Sequence, residues 1–415
     1  MREVSFAALR HPGFRVYFLC SAAAMMADSI EHVISYWVLF QKFRSPALGG
    51  FAVISHWLPF LLFSVPMGAI ADHRDPRRLI QFGMLLFMGV SLAWGTLFFT
   101  DTLQVWHAWV LLIIHGCAGV FWGPPSQLLI HYIVGTQQLQ SAVRLNATSR
   151  NLGLLLGPAV GGAIMLLLGP SLGFFVNALI YLPLLAWLWR APYGPAFQPP
   201  SEAAANPRPA MRGLREIIAT VRDIAGNRTI VTMTLLGGGA SLLIGNAYQA
   251  QMPGYAHDLG HGSVDMSYSI LLAADAAGAL LAGIALETRG LLQAKPRTAC
   301  ILALLWCVAL GSFAMVRNYP LALGLLLAAG FLELSYNSMA QTLVQMAAPA
   351  QMRGRVIGLF SMASQGLKTF SGMSVGIVGG LIGIHASLGL SAAVLGTLIL
   401  ALLFFSRARV AGSSA

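Results

Sequence analysis

Gly68-Ala-Ile-Ala-Asp72-His-Arg74-Asp75-Pro76-Arg77-Arg78 decides the fold. The stretch lies between two long apolar runs, Gly49 to Ala71 before it and Leu79 to Thr100 after it, and neither run holds an acidic residue, a lysine or an arginine. A tight knot of charge between two segments of membrane-crossing length reads as a short hairpin loop at the water interface. Arg74, Arg77 and Arg78, with His73 beside them, put that loop on the cytoplasmic side, because basic residues accumulate in inner loops.

Composition agrees with that reading. The chain has 415 residues, of which 57% are hydrophobic and 9% charged, where a soluble domain carries about 25% charged residues. This is the balance of an integral membrane protein. The formal net charge of +11 does not point to nucleic acid, since the basic residues are scattered between apolar runs rather than gathered in a patch. Cys20, Cys117, Cys300 and Cys307 all lie inside apolar runs and imply no disulfide framework. The polar start, with Arg2 and Arg10, and the long first apolar run do not form a cleavable signal peptide.

A spanning helix needs ~20 mostly apolar residues. Twelve such runs are visible, at 14–40, 48–71, 79–99, 106–131, 140–168, 172–190, 229–253, 264–287, 298–316, 319–346, 355–383 and 386–406. The expected fold is therefore all-α, with a six-helix half over 1–190, a linker over 191–228 and a second six-helix half over 229–415. Prolines 192, 195, 199, 200, 207 and 209 mark the linker as flexible. After it, Leu214, Ile217, Ile218, Val221 and Ile224 share one face of a helix, with Arg215, Glu216, Arg222 and Asp223 opposite. That pattern suits a helix lying on the membrane surface or one packed under the bundle. With both termini cytoplasmic, 20 of the 25 Lys and Arg fall at inner positions. Lys42, Arg44 and Arg317 fall outside, and Arg150 and Lys368 fall within spans, so the charge bias sets this orientation.

Against this background the opening stretch resembles the loop-2/3 signature of the major facilitator superfamily. Gly68, Asp72, Arg77 and Arg78 match it, whereas Asp75 and Pro76 depart from it. A worn second copy, Gly283-Ile-Ala-Leu-Glu287-Thr-Arg289-Gly290, follows the eighth run, where a duplicated fold would put it. Gly153-Leu-Leu-Leu-Gly157-Pro158-Ala-Val-Gly161-Gly162 in the fifth run is similar to the Gly-x-x-x-Gly-Pro-x-x-Gly-Gly motif of exporters in the superfamily. Its physical content is a smooth groove for a neighbouring helix and a kink at the proline. Leu9, Phe14, Arg15, Asp28, Pro59 and Arg353-Gly354-Arg355-Val356 resemble the enterobactin-exporter-like and multidrug efflux branch.

The resemblance implies a secondary transporter of the bacterial inner membrane that exports a siderophore-like or drug-like compound by alternating access. It also implies a latch in which Asp72 engages the start of the eleventh span and Arg355. An uptake carrier or facilitator of the same fold is one alternative, and a non-transporting sensor or lipid-handling protein is another. The partners implied are a small-molecule substrate, protons and the lipid bilayer, with a monomer as the default state.

Ionisable groups inside spans are costly and mark the pathway by default. Asp28 and Glu31 lie three residues apart in the first run and share a helix face. Two carboxylates on one face repel, so one of the two is the expected proton-coupling group. Arg150 and Lys368 are possible basic partners that would instead make the pair structural. His32, His115, Arg150, Glu333, Lys368, Tyr36, Trp122 and Tyr336 are candidates to line a substrate cavity, and Asp275 is a further acidic candidate. No phosphate-binding Gly-x-x-x-x-Gly-Lys loop occurs, and no Cys/His group has metal-ligand spacing in sequence. Neither an ATP-driven pump nor a metalloenzyme is supported, and no cofactor is expected.

Overall fold

The computed structural model describes residues 6–43, 46–197, 214–245, 247–260, 267–289, 294–371 and 378–407. Linker prolines 199, 200, 207 and 209, together with Arg2, Arg44 and Gly290, lie outside them. Among the described residues the chain is helical and contains no strand. The helices are α1 (Pro12–Phe43), α2 (Pro46–His73), α3 (Pro76–Phe99), α4 (Val105–Val134), α5 (Leu139–Ile180), α6 (Leu182–Arg190), α7 (Leu214–Ile224) and α8 (Arg228–Leu243). They continue with α9 (Ala247–Ala250), α10 (Met252–Asp258), α11 (Ser267–Arg289), α12 (Pro296–Met315), α13 (Tyr319–Ala347), α14 (Arg353–Ser364), α15 (Val378–Ile382) and α16 (Ile384–Arg407).

Eight helices among the described residues are long and apolar enough to cross a bilayer. One of them, Leu139–Arg190, joins the expected fifth and sixth spans across Gly169, whose φ of 77° only glycine adopts freely. Three expected spans fall outside the eight. The first, α1, is 32 residues long but carries Asp28, Glu31 and further charges. The seventh is not one helix: α8 stops at Leu243, Gly245 turns with φ of 50°, and α9 and α10 follow. The eleventh is also broken, with α14 ending at Ser364 and a 3-10 turn over Gly366–Phe370. The two breaks meet, since the Ser241 hydroxyl donates to the Ser364 carbonyl at 2.5 Å. That bond satisfies a backbone oxygen that a continuous helix would have used.

Local chemistry sets the helix starts. Asp75 caps α3 by accepting from the Arg77 N–H, and Pro76 begins the helix, where a missing N–H costs nothing. Asn227 and Asn318 cap α8 and α13 in the same way.

The chain forms two compact bodies. One holds Ala7–Ile218 and Pro349–Ser361, and the other holds Ala219–Ala348 and Met362–Ala415 together with Met1–Phe6. In the first body α1 packs along α5, and α4 packs on α2 and α3. Its core gathers Ile30, Ile34, Trp94, Leu112 and Phe174. In the second body α13 packs on α11 and α12, and α16 on α12.

Helix α7 turns Glu216, from its charged face, into the protein together with Ile224. Glu216, Thr220 and Ile224 are buried, while Ile218 is 66% and Val221 46% exposed. A buried charge partner decides this: Glu216 Oε1 lies 2.6 Å from Arg355 Nε. Desolvating two charges is tolerated only when they pair closely, and that pairing holds Glu216 inward.

Candidate functional site

The export-like motif of α5 does its structural work against α1. A Cβ added at Gly153 would meet the backbone of Ala22 and Met26, one at Gly157 the side chain of Ser29, and one at Gly161 the backbone of Ile30. The glycines therefore admit α1 at backbone distance beside the turn that carries Asp28, Glu31 and His32. Gly162 faces open space and Pro158 is exposed, so these two take no part in the contact.

A second close approach faces the first. A Cβ on Gly116 would fall on the Ser55 carbonyl, so α4 and α2 touch at the residues next to His115 and His56. Asp28, Glu31, His32, His56 and His115 thus converge from three helices. His115 Nδ1 is 2.7 Å from Glu31 Oε1, and its Nε2 is 3.0 Å from Asp28 Oδ1. The basic group set between the two carboxylates is this histidine. Ser91 donates to Glu31 Oε2, and Asn177 donates to the Ser91 hydroxyl at 3.0 Å. His32 Nδ1 donates to the Asp28 carbonyl oxygen at 2.7 Å, and its Nε2 lies 3.2 Å from His56 Nδ1. Asp28, Glu31 and His115 are buried, whereas His32 and His56 are half-buried and form the open side of the cluster.

The remaining candidates separate. Tyr36 sets its ring edge-on to His32 at 5.4 Å between centroids. Trp122 is buried one ring away, against Phe87, which itself contacts His115. Arg150 lies within electrostatic reach of His56. Glu333, Tyr336 and Lys368 belong to the other body, where they line a cavity of about 20 Å³ with Trp306, Asn337 and Ser364, beside the two helix breaks. That volume has room for about one water. Asp275 stands nearby, accepting from the Tyr248 hydroxyl at 3.1 Å and from Gln249 Nε2 at 3.0 Å.

The loop signature also divides. Asp72 Oδ1 accepts from the Gly354 N–H at 2.5 Å and Oδ2 from the Arg355 N–H at 3.1 Å, at the first turn of α14. Gly68 makes this reach possible, because a Cβ there would fall on the Gly354 carbonyl. The Arg355 guanidinium turns instead to Glu216. Arg77 pairs with Asp75 at 2.5 Å and donates to the Ala191 carbonyl, and Arg78 is exposed, so neither arginine joins Asp72. In the second copy of the signature Glu287 is buried. The side chain of Arg289 lies outside the described residues.

Sequence reasoning missed His56 and Glu216. His56 sits in an uncharged run with no periodic partner, and only its place two residues past Ile54, at the start of a membrane-length segment, marks it as a polar group inside one. Spacing along the chain shows no metal-ligand set, because His32, His56 and His115 come from three separate helices.

Comparison with known proteins follows the same lines. The family model described as transmembrane secretion effector matches residues 3–414. The enterobactin exporter EntS of Shigella boydii serotype 18 is 24% identical over 256 residues, which is 60% of this chain and 56% of that protein. EntS of Citrobacter koseri is 25% identical over 257 residues. The chain thus spans a little over half the length of these curated relatives. Among solved structures, the human organic anion transporter MFSD10 (TETRAN) superposes with a TM-score of 0.70 at 16% identity, covering 94% of this chain and 98% of that one. That likeness speaks to the fold alone.

Proposed function

Given that this chain belongs to the transmembrane secretion effector family of the major facilitator superfamily, we propose that it exports a small organic compound across the bacterial inner membrane in exchange for protons. In this reading the twelve apolar runs are twelve spans, six in each half, with both termini in the cytoplasm. The eight long apolar helices, one of them a merged pair at Gly169, together with the 32-residue α1 and the two interrupted spans, support that count. Broken helices inside a membrane are tolerated where they line a cavity or are buried in protein. Glu333, Tyr336 and Lys368 sit beside such breaks, and in this reading they are the second half's polar contacts to cargo. Relatives named as enterobactin exporters support a siderophore-like or drug-like cargo.

One observation carries the proton coupling: a single imidazole set between two buried carboxylates, His115 between Glu31 and Asp28. A neutral imidazole has one N–H, and only the imidazolium can offer a proton to both carboxylates. Removing one proton leaves one carboxylate without its partner. The cluster therefore has two states that differ by one charge, and all its acidic members are on α1. Alternating access needs such a biased pair of states. Asp72 on the start of α14, with Glu216 on Arg355, supports a latch that closes one of them.

The same mutual pairing of Asp28, Glu31 and His115 favours a second reading, in which the cluster is a permanent structural clasp of a non-transporting membrane protein. Inside-out vesicles separate the two. A pH gradient is imposed, catechol siderophores and cationic dyes are added in turn, and collapse of the gradient is recorded for the wild type, Asp28→Asn and Glu31→Gln. Substrate-dependent collapse that is abolished in either variant is expected. No collapse with any compound, together with a large loss of thermal stability in both variants, would overturn coupled export and leave the clasp. Accumulation of substrate inside the cell, dependent on the protein, would reverse the direction and make the protein an uptake carrier.

A further inference from the structure

The nitrogens of His32, His56 and His115 lie within 4.8 Å of one another. We propose that they form, with Asp28, a binding site for a divalent transition-metal cation of the zinc type. The cation would take the atoms, His115 Nε2 and the Asp28 carboxylate, that the proton-coupling reading gives to a proton, so on one molecule the two exclude each other.

The tautomers are set by the second nitrogen of each ring. His32 Nδ1 donates to the Asp28 carbonyl oxygen, so its Nε2 carries the lone pair. In this structure His56 Nδ1–H donates to that lone pair at 3.2 Å, and a bound ion would take the place of the shared proton. Two nitrogens bound at 2.0–2.1 Å to a tetrahedral ion stand about 3.3–3.4 Å apart, so the pair is spaced as two ligands of one ion. His115 Nδ1 is taken by Glu31 Oε1. Its Nε2 is fully buried and faces Asp28 Oδ1 at 3.0 Å without the alignment of a good hydrogen bond. Buried polar atoms are rarely left in that condition, and a cation between the nitrogen and the carboxylate would serve both.

The outer partners are of the kind that metal sites use. A carboxylate or carbonyl on the far nitrogen of a ligating histidine fixes its tautomer and orientation. Glu31 does this for His115 and the Asp28 carbonyl for His32, and Glu31 is held in turn by Ser91 and Asn177. Three imidazoles and one carboxylate suit zinc, cobalt, nickel or copper better than magnesium or calcium, which prefer oxygen. The charges also balance, since Asp28 and Glu31 offset a dication while Arg150 adds one distant positive charge. Entry is from the half-buried side, past His32 and His56, where Tyr36 and Trp57 stand edge-on to the rings.

The test uses the full-length protein in nanodiscs, with any affinity tag removed. Zinc is titrated in competition with a chromophoric chelator, and cobalt is used as a spectroscopic probe. The expected result is one tightly held ion per chain and the intense visible absorption of four-coordinate cobalt. His32→Gln and His56→Gln should each weaken binding at least a hundredfold. Glu31→Gln, which acts on His115 from outside, should weaken it about 10–100-fold. His257→Gln with His385→Gln, in the other body, should change nothing. His56 is half-buried, so its substitution should leave the fold intact even where His115→Gln does not. Zinc should raise the melting temperature of the wild type and not that of His56→Gln. Pale six-coordinate cobalt, or affinity unchanged in the His32→Gln/His56→Gln double variant, would overturn the site.

Discussion

The carboxylate of Asp72 caps the helix that begins at Arg353, with its two oxygens on the Gly354 and Arg355 N–H groups. Those amides are among the four that a helix start leaves without partners, and the positive end of the helix dipole favours the negative charge. Asp72→Ala should cost about 0.5–2 kcal/mol, the range for lost helix caps. Asp72→Asn, which keeps an acceptor but removes the charge, should cost less. Thermal unfolding in detergent measures both: equal losses would assign the whole effect to the charge, and no loss in Asp72→Asn would mean that the dipole term is absent.

Within one ten-residue motif the glycines should differ in tolerance. Gly157→Ala places a methyl on Ser29, and overpacking of this kind costs about 1–3 kcal/mol. Gly162→Ala meets nothing within 4 Å and should be neutral, or stabilising by about 0.4–1 kcal/mol through the unfolded chain. Melting temperatures of the two variants decide the matter. A loss at Gly162 matching that at Gly157 would show that α1 does not seat on the groove.

The buried charge pair of α7 makes a paired prediction. Glu216→Gln removes the buried charge that faces Arg355 Nε, and breaking a buried pair from one side costs about 3–5 kcal/mol. Ile218→Ser, on the exposed side, should stay within about 0.5 kcal/mol. Chemical denaturation in mild detergent reads both. The opposite ranking would mean that Ile218, and not Glu216, faces the protein.

One pH dependence can be signed. Lys42 donates to Asp101 Oδ1 at 2.5 Å and holds that carboxyl below its usual range. A depressed carboxylate adds stability above its unfolded pKa of about 3.9 and loses it as pH falls through the lower folded value. The melting temperatures of wild type and Asp101→Asn should therefore differ slightly at neutral pH and converge in strong acid. Because Asp101 is fully exposed, added salt should shrink the difference.

The long apolar runs around the loop at Asp72 were legible because a membrane span is a composition signal, and α3, α4, α12 and α13 follow it closely. The breaks near Gly245 and Ser364 were not, since a broken span is as apolar as a continuous one and only the backbone of Gly245 and the Ser241–Ser364 bond separate the cases. Asp28, Glu31 and His115 could be singled out as costly polar groups in apolar surroundings. Their assembly around one imidazole could not, because it depends on the crossing at Gly116 and Ser55, which joins residues about sixty positions apart. The burial of Glu216 was not legible for a related reason: its partner, Arg355, is remote in sequence.

That crossing has a counterpart. In the second body a Cβ on Gly330 would strike the Asp275 carbonyl, and one on Gly278 the Leu327 carbonyl, so α11 and α13 touch as α2 and α4 do. The side chains beside the two crossings differ: imidazoles flank one, and a carboxylate with a phenol flanks the other. In terms of descent, the glycines hold the scaffold while the residues next to them are free to change their chemistry. A laboratory lineage selected for a new cargo should accumulate its changes at positions such as His56, Tyr248 and Gln249. Gly116, Gly278 and Gly330 should persist through the selection, because any side chain there parts the helices before it can alter what they hold.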